Sequence, residues 1–126
     1  MKEKILEALP EVDEKAPYRF VSAEEAGPRR TKKAAKKLGK NCNPESVVAI
    51  LDTSIFRTGG EGFVLTTETL SGSFFKETIS YADLEKVECS EENELVLTYK
   101  DGREERIWGN IYAKYLAEVL EAVVNI

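Results

Sequence analysis

Hydroxyls and carboxylates are plentiful in this chain of 126 residues and there are two thiols, but the base that most often activates them is missing, because there is no histidine. Asp52-Thr53-Ser54 sets two hydroxyls beside a carboxylate. Nucleophilic catalysis there would need a base and an orienting group within hydrogen-bond reach. Without an imidazole, the reading that stands is a bend whose side chains bond the backbone. Glu91-Glu92 and Glu104-Glu105 are paired acids of the kind that hold a divalent cation or flank a glycosidic bond. Neighbours on a strand face opposite ways, so neither pair can converge, and both read as surface charge. Cys42 and Cys89 belong to no Cys-x-x-Cys spacing and read as free thiols. No catalytic residue, metal or cofactor is expected, and the chain reads as a non-enzyme.

Two stretches carry binding chemistry instead. Arg57-Thr-Gly-Gly-Glu-Gly62 resembles a phosphate cradle, but it lacks the Gly-Lys-Ser/Thr ending of a P-loop and joins two predicted strands. A hairpin loop is the plainer reading. If the loop does hold an anion, Arg57, Gly59 and Gly60 are the residues that would do it, with Lys76 beside them. The second stretch is cationic. Arg29, Arg30, Lys32, Lys33, Lys36, Lys37 and Lys40 bring +7 with no acid among them, so a net charge of −5 leaves −12 on the rest of the chain. Arg29, Arg30, Lys32, Lys33, Lys36 and Lys37 are the interaction candidates, able to meet an acidic protein face or an anionic lipid surface. The plainer alternative is a solvated helix that offsets the acidic body. No aromatic residue interrupts the run to stack on bases, and an acidic body repels nucleic acid, so nucleic acid is not an expected partner.

These groups need elements to position them. Ile5, Leu6 and Leu9 make one apolar stripe, giving a short first helix that ends at Pro10. Residues 11–23 show no sustained period and read as a connector whose Tyr18, Phe20 and Val21 can dock. Ser22 with Glu25 forms a capping box, and Pro28 suits the first position of a helix running to Leu38 and stopped by Gly39. Thr31, Ala34, Ala35 and Leu38 share its apolar face, which leaves the lysines to water. Asn43-Pro44 marks a turn.

From there seven strands are predicted: 47–56, 63–67, 69–73, 77–81, 86–90, 94–99 and 103–108. The first is an apolar run that periodicity alone cannot separate from a helix. Asp101-Gly102 signals a hairpin. A two-residue loop would pair Leu95 with Trp108, and a three-residue loop with a Gly102 bulge would pair Leu95 with Ile107. Trp108 itself reads as core or rim packing, with a binding-face anchor as the alternative. Asn110 can cap a final helix in which Ile111, Tyr112, Tyr115, Leu116, Val119, Leu120, Val123 and Val124 recur in adjacent pairs every four residues. A ridge of that size must be core.

The length suits one domain with a core that needs no staples. No run of about 18 apolar residues is present, and the N-terminus lacks the apolar stretch of a secretory signal, so a cytoplasmic protein is expected.

Ile50-Leu-Asp-Thr-Ser-Ile-Phe56, Gly60-Glu-Gly-Phe-Val-Leu-Thr66 and Ile79-Ser-Tyr81 with Leu84 resemble a family of small bacterial proteins that carry a pleckstrin-homology-like domain. The resemblance spans about residues 45–126 and implies an α+β fold. A bent antiparallel barrel of about seven strands would be closed by the C-terminal helix and preceded by N-terminal helices. Residues 1–40 would then be a helical extension and 41–126 the domain. The resemblance transfers no catalytic residue. The function expected is a binding module for a protein or peptide, with self-association through the N-terminal helices in reach. The alternative is a sensor of an anionic small molecule or lipid headgroup, with peripheral membrane contact the lesser prospect.

Overall fold

The computed structural model describes residues 2–9, 20–52, 62–73, 75–108 and 112–124, with the side chains of Asp52 and Trp108 outside the description. The fold is α+β. Helix α1 (Lys2–Ala8) comes first, then the short strand β1 (Val21–Ser22) and helix α2 (Ala23–Lys37). Seven strands follow: β2 (Val47–Asp52), β3 (Gly62–Thr66), β4 (Thr69–Gly72), β5 (Ile79–Ser80), β6 (Leu84–Cys89), β7 (Glu94–Tyr99) and β8 (Glu104–Trp108). Helix α3 (Ala113–Val124) closes the chain's described part. The strands form two antiparallel sheets, one in the order β1-β2-β3-β4-β5 and one in the order β6-β7-β8.

The expected seven strands are all present within a few residues of their predicted limits, although the first is described only to Asp52. The expected closed barrel is not. The described strands make two sheets with no hydrogen-bonded strand pair between them. The break has a local cause: β5 is two residues long, and the chain then turns through a 3-10 helix, Tyr81–Asp83, before β6 begins. Such a turn takes the backbone out of the extended conformation that ladder pairing needs. An eighth strand, β1, lies in the stretch read as a connector and pairs with β2, Val21 against Ile50.

The first sheet is buried on both faces. Ala49, Leu51, Phe63, Leu65 and Leu70 join the main core, together with Leu84, Val87, Leu95 and Leu97 of the second sheet. Val47, Ile50 and Val64 instead face a second cluster made with Val21, Ala34, Ala35 and Leu38. Helix α2 therefore covers the outer face of the first sheet, and a register shift between Val47 and Ala49 sets which β2 side chains meet it. Burial on both faces explains why Val47 to Leu51 is continuously apolar rather than alternating.

The ridge of α3 packs as expected. Tyr112, Tyr115, Leu116, Val119, Leu120 and Val123 are buried in the main core, and Val124 is half-buried. Asn110 and Ile111 lie outside the described residues. Ile5 of α1 is fully buried in the same core, so α1 is anchored to the body through α3 and β2.

The hairpin question resolves to the three-residue loop. Leu95 pairs with Ile107 and Glu94 with Trp108. The Tyr99 N–H donates to the Arg103 carbonyl at 2.9 Å, and the Gly102 N–H donates to the Tyr99 carbonyl at 3.0 Å. Gly102 takes the left-handed position, with φ of 92°.

Candidate functional site

Helix α2 presents the charge that the sequence singles out. It begins at a cap: Ser22 accepts from the Glu25 N–H at 3.1 Å, as the capping box predicts. It is kinked where Gly27, at φ 82°, precedes Pro28, so a short first turn and the predicted helix run together. Thr31 ties the kink, its hydroxyl donating to the Gly27 carbonyl at 2.7 Å. At about 100° per residue, Thr31, Ala34, Ala35 and Leu38 fill an arc of about 100°. All four are buried, and Ala34, Ala35 and Leu38 pack against the first sheet. Arg29, Arg30, Lys32, Lys33, Lys36 and Lys37 fill an arc of about 160° on the opposite side, and all six are exposed.

These six differ from Lys86 and Arg106 of the second sheet and from Arg103 of its hairpin. Lys86 lies 2.8 Å from Glu88, Arg103 lies 2.8 Å from Asp101, and Arg106 lies 3.3 Å from Glu104. Among the described residues, no ion pair engages any of the six on α2.

The far end of the helix is also held. The Lys40 ammonium donates to the Phe75 carbonyl at 2.7 Å. Phe75 is buried, its ring centroid 5.5 Å from that of Phe63. Lys76, the next residue, is exposed. The bond therefore brings the segment of the candidate Lys76 to the C-terminal end of α2. Arg57, Gly59 and Gly60 lie outside the described residues, as do Thr53 and Ser54.

The other groups weighed for chemistry are placed as follows. Glu104 and Glu105 diverge: the first meets Arg106 on its own strand, and the second accepts from the Tyr99 hydroxyl at 2.8 Å. Glu91 and Glu92 are exposed in the turn before β7. Cys42 and Cys89 are unpaired and half-buried. Burial raises both thiols above their ordinary value, with Lys114 partly offsetting the effect at Cys89. A raised thiol is a poorer nucleophile at neutral pH. Among the described residues, no three potential ligands cluster as a metal site.

Sequence reasoning did not find a cleft of about 610 Å³ at the corner where the β3–β4 turn, the 3-10 turn after β5, the β7–β8 hairpin and the end of α3 meet. Glu68, Ser80, Leu84, Lys100 and Val123 are among its walls. These residues come from separate elements and share no local pattern. The one available signal was Tyr81, an aromatic placed beside a corner. No family model matches the chain, and neither a curated protein nor a solved structure matches it.

Proposed function

We propose that the chain is a non-enzymatic binding module of the pleckstrin-homology-like class, working in a bacterial cytoplasm, and that the outer arc of α2 docks an acidic protein or peptide. The class is supported by four paired strands, β2 to β5, followed by three, β6 to β8, and a closing helix. The docking role is carried by one observation. Six exposed cations on α2 have no ion-pair partner among the described residues, while Lys86 and Arg106 of the second sheet and Arg103 of its hairpin have theirs. A fixed row of like charge with no neighbour to neutralise it favours an anionic partner and speeds its encounter.

The test uses a short Glu/Asp-rich peptide and the full chain. Binding is expected at low salt, falling as ionic strength rises, with a loss of about ten-fold or more on Lys32/Lys33/Lys36/Lys37→Ala. A second reading, a sensor of an anionic lipid headgroup or small anion, is favoured by the Lys40 to Phe75 bond that brings the segment of Lys76 to the C-terminal end of α2. Phosphatidylserine vesicles separate the two. Binding to vesicles but not to peptide selects the sensor, and binding to neither at low salt removes both.

A further inference from the structure

The walls of the corner cleft are tied to one another by hydrogen bonds. The Tyr81 N–H donates to the Glu68 carbonyl at 3.0 Å, and the Lys100 N–H donates to the Asp83 carbonyl at 2.9 Å. The Tyr81 hydroxyl is shared between the Thr66 and Thr69 carbonyls, at 2.9 and 2.8 Å. Three connections that would otherwise move independently are thus cross-tied. A volume of about 610 Å³ lies within the range of small-ligand sites.

The lining divides by chemistry. Leu84, Val123 and Val124 give an apolar wall, and among the described residues Lys100 is its one cation and Glu68 its one acid. Ser80 adds two donors. The bond from Tyr81 to Glu68 marks those residues as a hydrogen-bonded pair, so alternation along an antiparallel ladder turns the N–H of Ser80, opposite Thr69, away from β4. The Ser80 hydroxyl stands at the cap position of the 3-10 turn yet makes no cap bond.

We infer that this cleft receives the carboxylate end of a peptide whose last side chain is apolar. The Lys100 ammonium and the Ser80 donors hold the carboxylate. The side chain lies on Leu84, Val123 and Val124. Glu68 disfavours a second acid and accepts from the N–H groups of the preceding residues. The site is distinct from the α2 arc and does not rest on the role given to that helix.

The probe is acetyl-Ala-Ala-Leu with a free carboxylate, titrated into the full chain and followed by backbone amide chemical shifts. Saturable shifts are expected at Ser80, Leu84, Lys100 and Val123. The C-terminal amide of the same peptide and the Lys100→Gln variant should each bind about ten-fold more weakly, the scale of one lost charge-assisted hydrogen bond. Ser80→Ala, which keeps the backbone donor, should lose less. Lys32/Lys33/Lys36/Lys37→Ala should bind the probe unchanged. The inference is overturned if no saturable shifts occur, if the amide matches the acid, or if Lys100→Gln binds like the parent chain. Octanoate binding as tightly as the peptide would also overturn it, since the cleft would then be a fatty-acid site.

Discussion

Gly102 in the β7–β8 hairpin and Ser71 in the first sheet are single positions whose replacement should act in opposite directions. At φ of 92°, Gly102 adopts a conformation that strains any L side chain, although open space surrounds the place a Cβ would occupy. Gly102→Ala is therefore expected to lose about 1–2 kcal/mol in urea unfolding, from the backbone alone. Gly102→Asn should lose less. Ser71 is 1% exposed, and its hydroxyl has no hydrogen-bond partner among the described residues. A buried polar atom without a partner opposes folding, so Ser71→Ala should leave stability unchanged or raise it by about 1 kcal/mol. Two tyrosines set the alkaline limit. Burial, with the hydrogen bond and charge of Glu105, pushes Tyr99 up to about 12, and burial pushes Tyr81 higher still. Unfolded tyrosines release their protons near pH 10, so the folded state holds protons that the unfolded chain has lost. Stability should be full below about pH 10 and fall as pH rises through about 12. Phenolate absorbance should show Tyr81 and Tyr99 ionising late, together with unfolding.

At the scale of elements, α3 is the test of the core. Leu116, Val119 and Leu120 are fully buried, and Glu118 is exposed between them. Leu120→Ala should cost about 2–5 kcal/mol, and Glu118→Ala should stay within about 0.5 kcal/mol, both read from urea midpoints. That contrast was legible in the sequence, because paired apolar residues every four positions suit only a helix with one buried face. The Ser22 cap and the buried side of α2 were equally legible, since each depends on residues a few places apart. Three features were not. β1 is two residues long, too short for any period, and exists because β2 offers it an edge. The gap between the sheets comes from a 3-10 turn, Tyr81–Asp83, at a place where Ala82-Asp-Leu-Glu reads as a tight corner, but nothing local says that ladder pairing fails to resume beyond it. The loop length after Tyr99 is decided by ladder pairing with Arg103, which local sequence leaves open.

For the molecule as a whole, the stretch read as an N-terminal extension contributes to both cores: Ile5 to the main one, and Val21, Ala34, Ala35 and Leu38 to the second. Ile5→Ala should cost about 2–5 kcal/mol if α1 is as integral as its burial implies, checked by thermal or urea unfolding of the full chain. The candidate cationic surface was visible in the sequence as a run of like charge. The corner cleft was not, because it is assembled from connections spread between Thr67 and Val124.

Because α2 is a plank with one side glued to the first sheet and the other bare, its two sides are free to change independently. Substitution along the bare side can retune what the protein recognises while the strands beneath stay shut. Excising the whole plank would instead uncover Val47, Ile50 and Val64, turning a question about recognition into one about precipitation. Charge reversal on the outer row, rather than truncation, is the change that leaves the scaffold standing.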